Sequence, residues 1–135
     1  MIKVEKIDHL GVAVKNIDEA AKFWVDAFGL EITAKETVES QKVTTAFLPL
    51  GESEIELLEA TCEDSPIAKF IEKNREGIQH VAFYVNDLEA ALADLKANDI
   101  RLIDETPRPG AGGKMIAFLH PKATHGVLVE LCQSK

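Results

Sequence analysis

The opening stretch IKVEKIDHLGVAV alternates apolar and polar positions as a half-buried strand does, with a histidine, His9, in its middle. REGIQHVAFYV repeats the pattern later in the chain, with His80 in the same place. Superposing the two sets an offset of 71 residues, at which Val14 meets Val85, Asn16-Ile17-Asp18 meets Asp87-Leu88-Glu89, and Ala46-Phe47-Leu48 meets Ala117-Phe118-Leu119. At an offset of 74, Ile55-Glu56-Leu57 meets Val129-Glu130-Leu131. The difference of three predicts a longer loop before the last strand of the second copy, supplied by HPKATHG.

Each copy then reads as strand, amphipathic helix and three strands. In the first, DHLGVAV is a strand and Asn16 caps a helix, with Glu19 three residues on as in a capping box. Ala20, Ala21, Phe23, Trp24, Ala27 and Phe28 form its expected apolar stripe, and Gly29 ends it. GLEITAKE, VTTAFLPL and SEIELLEA follow as strands, the last two joined by a tight turn at GES. In the second, QHVAFYV leads into a helix started by Asn86 or Asp87, striped by Ala91, Leu92 and Leu95 and ending near Asn98; IRLIDE, KMIAFLHP and GVLVELCQ are its expected strands. Between the copies, Ser65 and Pro66 start a short linking helix. The expected fold is α+β: two tandem βαβββ modules at about 4–60 and 77–133, with a linker helix at about 64–75, in one domain whose strands form a curved mixed sheet around a metal-binding cleft.

Length and charge narrow the function. A chain of 135 residues, 46% hydrophobic, can bury a real core. A net charge of -8 argues against nucleic acid or an anionic membrane surface as partner. No apolar run approaches the roughly 18 residues that span a bilayer, and no secretory signal follows Met1, so the expected location is the cytoplasm. Cys62 and Cys132, 70 positions apart, have no metal-type spacing and read as reduced thiols.

The repeat also pairs four residues that carry chemistry. His9 and His80 stand on the first strand of each copy, Glu56 and Glu130 on the last, and each glutamate is flanked by apolar neighbours. If Leu10, Val12 and Val14 cover one face, alternation turns His9 to the other. A single strand histidine is most often a hydrogen-bonded core residue, and a single glutamate a solvated one. The coincidence of all four under one repeat points instead to a divalent metal held by two imidazoles and two carboxylates. Gln79, beside His80, is expected on the opposite face. The PRPGAGGKM segment is not a phosphate-binding Walker loop, having no Ser or Thr after Lys114, and reads as a hairpin. Its glycines would let backbone approach a bulky ligand, with Lys114, His120 and Lys122 as candidate contacts to a carboxylate or phosphates.

The βαβββ duplication with its paired His and Glu residues resembles the vicinal oxygen chelate superfamily. IDHLGVAVKNIDEAAKFW, DSPIAKF and AFLHPK…GVLVEL resemble, within it, the methylmalonyl-CoA epimerase family. That family commonly has two adjacent histidines where this chain has Gln79-His80, and some members carry a further glutamate near ESQKVTTAF, where this chain offers Thr44 and Thr45. The resemblance implies an isomerase that interconverts the (R) and (S) forms of methylmalonyl-CoA by α-proton removal, enediolate stabilisation and reprotonation on the other face. It implies a divalent ion (Co favoured, with Mn, Ni, Zn or Fe as alternatives) on His9, Glu56, His80 and Glu130. Glu130 is then the expected base on one face and Glu56 on the other, with Glu39, Glu36 or a water behind Glu56. An acyl-CoA substrate and a homodimer are implied as well. The rival readings are a glyoxalase I-type lyase and a metal-free binding protein of the same fold.

Overall fold

A computed structural model describes residues 2–135. The described chain runs β1 (Val4–Ala13), α1 (Ile17–Ala21), β2 (Ala34–Val38), β3 (Val43–Leu50), β4 (Ser53–Ala60), α2 (Pro66–Asn74), β5 (Gly77–Val85), α3 (Leu88–Ala97), β6 (Arg108–Pro109), β7 (Lys114–Leu119) and β8 (Val129–Ser134). It is the expected mixed α+β order. The chain divides into two compact units, His9–Gln79, and residues 2–8 together with His80–Lys135.

In the His9–Gln79 unit the strand order is β2-β3-β4-β1. β2, β3 and β4 form an antiparallel meander, and β1 adds to β4 in parallel, with Leu10 opposite Ile55 and Gly11 opposite Glu56. A parallel neighbour needs a crossover, and α1 with the segment after it supplies one. One sheet face packs Val12, Val14, Ile55 and Leu57 under this crossover; the other packs Ala13, Val43 and Leu58 against Ile67 of α2.

The second unit repeats the plan in the order β5-β8-β7-β6. β5 and β8 pair in parallel, with Ala82 opposite Glu130, and β7 pairs antiparallel with β8, with Phe118 opposite Glu130. Val85, Leu88, Ala91, Leu92, Ala117 and Leu131 form the core under α3; Ala82, Ile116 and Cys132 pack on the opposite face.

The repeat extends to the helix starts. The Asn16 side chain accepts the Glu19 N–H, and Asp87 accepts the Ala90 N–H. Two residues earlier, Glu59 of β4 accepts the Ile17 N–H at 2.7 Å, and Gln133 of β8 accepts the Leu88 N–H at 2.7 Å. Donors that a helix start leaves without partners are therefore tied once to the cap residue and once to the last strand of the same unit. Ser65 caps the linking helix through the Ile67 N–H, as expected.

Two expectations need correction. The stripe from Ala20 to Phe28 does not form, because α1 passes into a π-helical segment, Lys22–Ala27. The Phe28 N–H bonds to the Phe23 carbonyl five residues back, so each turn takes more residues and the 3.6-residue phase is lost. Trp24 and Val25 still reach the core, whereas Phe23 and Phe28 are 54% and 59% exposed and stack on each other. Second, GLEITAKE and IRLIDE are mostly not strand: β2 begins only at Ala34, and residues 100–105 make one isolated bridge, Leu102 to Leu119. Asp104 explains the second case. Its carboxylate takes the Phe118 N–H that a neighbouring strand's carbonyl would take, while the Ile103 and Asp104 N–H groups share the Phe118 carbonyl. PRPGAGGKM does fold as a hairpin, with Arg108 opposite Ile116.

The two classes of apolar residue should separate in stability. Leu88→Ala should cost about 3 kcal/mol, the middle of the range for a buried leucine, and Phe28→Ser about 1 kcal/mol or less, since only an exposed ring contact is lost. Urea unfolding of both variants measures this; equal losses would contradict the loss of helical phase after Ala21.

Candidate active site

Parallel register places the first histidine beside its glutamate. Gly11 lies opposite Glu56, and His9, two residues earlier, projects from the same face of β1. His9 Nδ1 and Glu56 Oε2 are 3.2 Å apart, with the side chains 5% and 6% exposed. The second unit is built alike. Ala82 lies opposite Glu130, and His80 Nε2 is 3.3 Å from Glu130 Oε1, again at 5% and 6% exposure. The residue beside each glutamate is small, glycine in one copy and alanine in the other, so no bulky side chain stands between histidine and carboxylate.

A buried carboxylate without a partner is costly, and an imidazole at hydrogen-bond distance offsets that cost. Imidazole nitrogens and carboxylate oxygens are also the donors that divalent transition ions take, and each pair's donor atoms lie close enough to serve one ion. The residues therefore fit a divalent metal. Gln79 is half-buried and precedes buried His80 in β5, so strand alternation points it to the other face, as expected.

Around His80 and Glu130 the structure adds residues that the sequence did not disclose. The Phe118 ring meets the His80 ring edge to face at 5.5 Å. The Arg108 guanidinium lies over the same ring, 5.6 Å from its centre. Asp104 holds Arg108, accepting from its Nε at 3.0 Å. Asp8, next to His9 in the chain, is buried and accepts from Lys114 Nζ at 2.6 Å. Burial first, then the charges of Asp8 and Glu130, push the Cys132 thiol well above its ordinary range, which keeps it protonated and inert.

The three expected substrate contacts fall in different places. Lys114 opens β7 and is engaged by Asp8. His120 starts a short 3-10 turn at Pro121–Ala123, its Nδ1 accepting the Lys122 N–H. Desolvation, then the charges of Arg101 and Lys122, hold its pKa below the ordinary imidazole value. Lys122 itself is exposed. Of the acids considered behind Glu56, Glu36 lies opposite Thr45 on β2, which strand alternation puts on the face of Phe47 and Glu56. Glu39 lies beyond β2 in a 3-10 turn. Asp8, Asp104, Arg108 and Phe118 could have been found only through register: each is unremarkable in the chain and gains meaning from the strand it faces.

Comparison with known proteins agrees with this architecture. Residues 8–118 match the family described as the glyoxalase/bleomycin resistance protein/dioxygenase superfamily. The chain is 39% identical to the ethylmalonyl-CoA/methylmalonyl-CoA epimerase of Cereibacter sphaeroides over 132 residues, covering 96% of this chain and 98% of that one. It is 39% identical to the mitochondrial methylmalonyl-CoA epimerase of Dictyostelium discoideum, covering 96% and 79%. A solved single-substitution variant of the Streptomyces coelicolor methylmalonyl-CoA epimerase, in complex with 2-nitronate-propionyl-CoA, superposes with a TM-score of 0.94 at 39% identity, covering 98% of this chain and 96% of that one. The repeated strand–helix–strand plan, its buried His–Glu pairs and near full-length identity to these enzymes place the chain in the glyoxalase/bleomycin resistance protein/dioxygenase superfamily, as a member of the methylmalonyl-CoA epimerase family.

Proposed function

We propose that this chain interconverts the (R) and (S) forms of methylmalonyl-CoA, and that His9, Glu56, His80 and Glu130 together hold one divalent metal. The observation that carries this reading is the doubly repeated His–Glu pair, buried at the same register position in each unit. Near full-length identity to methylmalonyl-CoA epimerases supports the substrate. Two carboxylates and two neutral imidazoles carry a formal charge of about -2, which a divalent cation neutralises. Cobalt is the favoured ion, with Mn, Ni, Zn or Fe fitting the same donors.

The reaction breaks a C–H bond at a carbon between a thioester and a carboxylate, leaving its electron pair delocalised onto the thioester oxygen as a planar enediolate. When bound, the metal supplies Lewis-acid stabilisation of that developing negative charge. The protein's own residues do the rest. Glu130 accepts the α-proton on one face, and Glu56, its counterpart under the repeat, having first taken a proton from solvent, delivers it to the other face, with the roles reversed for the other isomer. If the same carboxylate held the metal and moved the proton, one of its oxygens would have to be left to carry the proton. The burial of Glu56 and Glu130 keeps bulk water from competing for the carbanion. Lys114, His120 and Lys122 are proposed contacts to the acyl-CoA.

A homodimer is the proposed assembly. β2 and β6 each pair on one side only within their units and leave edges to cover. No helix among the described residues is long and apolar enough to cross a membrane, and we propose that the protein works in the cytoplasm.

Chelation should lower the melting temperature, because an ion bound at a thousand times its Kd stabilises a fold by about 4 kcal/mol. Calorimetry with EDTA, followed by added Co²⁺, measures the loss and its recovery; an unchanged melting temperature would speak against a tightly held ion. Glu130→Gln keeps the volume and one carbonyl oxygen, so the fold should survive. Epimerisation should fall by about 10² to 10⁴-fold, the range for removal of a general base, and the loss should persist in excess metal. Solvent exchange of the α-proton in D₂O should suffer more for one isomer than for the other. Wild-type activity at full metal occupancy would move the base role to another group.

A further inference from the structure

We infer that Arg108 binds an anionic oxygen group of the acyl-CoA substrate, an assignment that rests on the reading just proposed. Its position is built by register. Arg108 of β6 pairs with Ile116 of β7, Ile116 pairs with Cys132 of β8, and Phe118 pairs with Glu130. Partners across antiparallel strands share a face, so Arg108 rises on the face that carries Phe118, Glu130 and, by the parallel β5–β8 register, His80. The side chain does not extend into solvent. It folds back until the guanidinium lies 5.6 Å from the centre of the Phe118 ring, whose edge-to-face partner at 5.5 Å is His80.

Three features fix this pose. Asp104 takes the Nε proton at 3.0 Å, and its other oxygen takes the Phe118 N–H at 2.9 Å, so one carboxylate locks both the arginine and the strand beneath it. The Phe118 ring supports the guanidinium plane. Gly110 lets the hairpin lie against β7: a Cβ there would come within 2.8 Å of the Ile116 side chain. The tether uses Nε alone, and the Nη groups, with four of the five N–H donors of arginine, remain for a ligand. A side chain that is held by Asp104 and Phe118 yet 38% exposed is pre-organised for bidentate capture of a carboxylate or phosphate. The equivalent position in the first unit, opposite Thr45, is Glu36. The cation is therefore not a requirement of the repeated scaffold.

The substrate offers two sources of such oxygens, its free carboxylate and the phosphates of CoA. Calorimetric titration of metal-loaded wild type, Arg108→Met and Arg108→Gln with methylmalonyl-CoA and with propionyl-CoA, which lacks the carboxylate, distinguishes them. Removing a charge-assisted bidentate contact should weaken binding by about 10- to 100-fold. Loss for methylmalonyl-CoA alone supports the assignment with the carboxylate as ligand. Equal loss for both compounds supports it with a phosphate. Wild-type affinity of the variants for both compounds overturns it. Arg108→Gln keeps a polar partner for Asp104 and carries the test if Arg108→Met lowers the melting temperature. A wild type that itself binds no methylmalonyl-CoA would instead refute the proposed function, so the two failures are distinguishable.

Discussion

Burying a carboxylate in the middle of a sheet sets the terms for the rest of this molecule. Glu56 and Glu130 each sit on a fully hydrogen-bonded strand, with apolar residues on both sides in the chain and almost no access to water. Such a group is tolerated only with a partner, and in each unit the partner is a histidine that must approach from a neighbouring strand. Antiparallel neighbours β3 and β7 cannot supply it, because they place Phe47 and Phe118 opposite the glutamates. The partner comes instead from the parallel neighbour, two residues before the register point. The fold must therefore bring the first strand beside the last, and that in turn requires the crossover helix between them. The capping contacts of Glu59 and Gln133 on the helix starts tie that crossover to the glutamate strand itself.

The same constraint explains what was legible in the sequence. β3 and β4 match their expected segments to the residue, α2 and α3 start at their expected caps, and the four His and Glu residues fall into two pairs, because alternation, capping residues and the repeat are local signals. The misreadings have non-local causes. The π-helical segment arises where Phe23, Trp24 and Phe28 cluster as rings at 5.2–6.0 Å, a packing that apolar periodicity does not encode. Residues 100–105 look like a strand by composition, but Asp104 displaces the ladder by bonding to Phe118, 14 residues away. Arg108 and Asp8 were invisible for the same reason: their partners are distant in the chain and specified by register.

Duplication fixed the scaffold and left its edges to diverge. The positions that carry the His–Glu pairs, the helix caps and the aromatic residue opposite each glutamate agree in both units, since each serves the buried carboxylate. The outer strands have no such duty. β2 presents Glu36 and an exposed five-residue strand, while β6 shrinks to two residues and presents Arg108. Thr33, whose N–H and hydroxyl both bond to the Phe47 carbonyl, becomes Asp104 in the second unit, and the longer carboxylate reaches both the Phe118 N–H and the arginine. Two differences, aspartate for threonine and arginine for glutamate, thus convert a simple strand-edge contact into a mounted cation. The proposed pair of proton-transfer groups, Glu130 and Glu56, suits a reaction whose two directions are mirror images at one carbon. The substrate around that carbon is not symmetric, having a small carboxylate on one side and a bulky thioester on the other. A group that recognises it should therefore lie where the two halves differ, as Arg108 does.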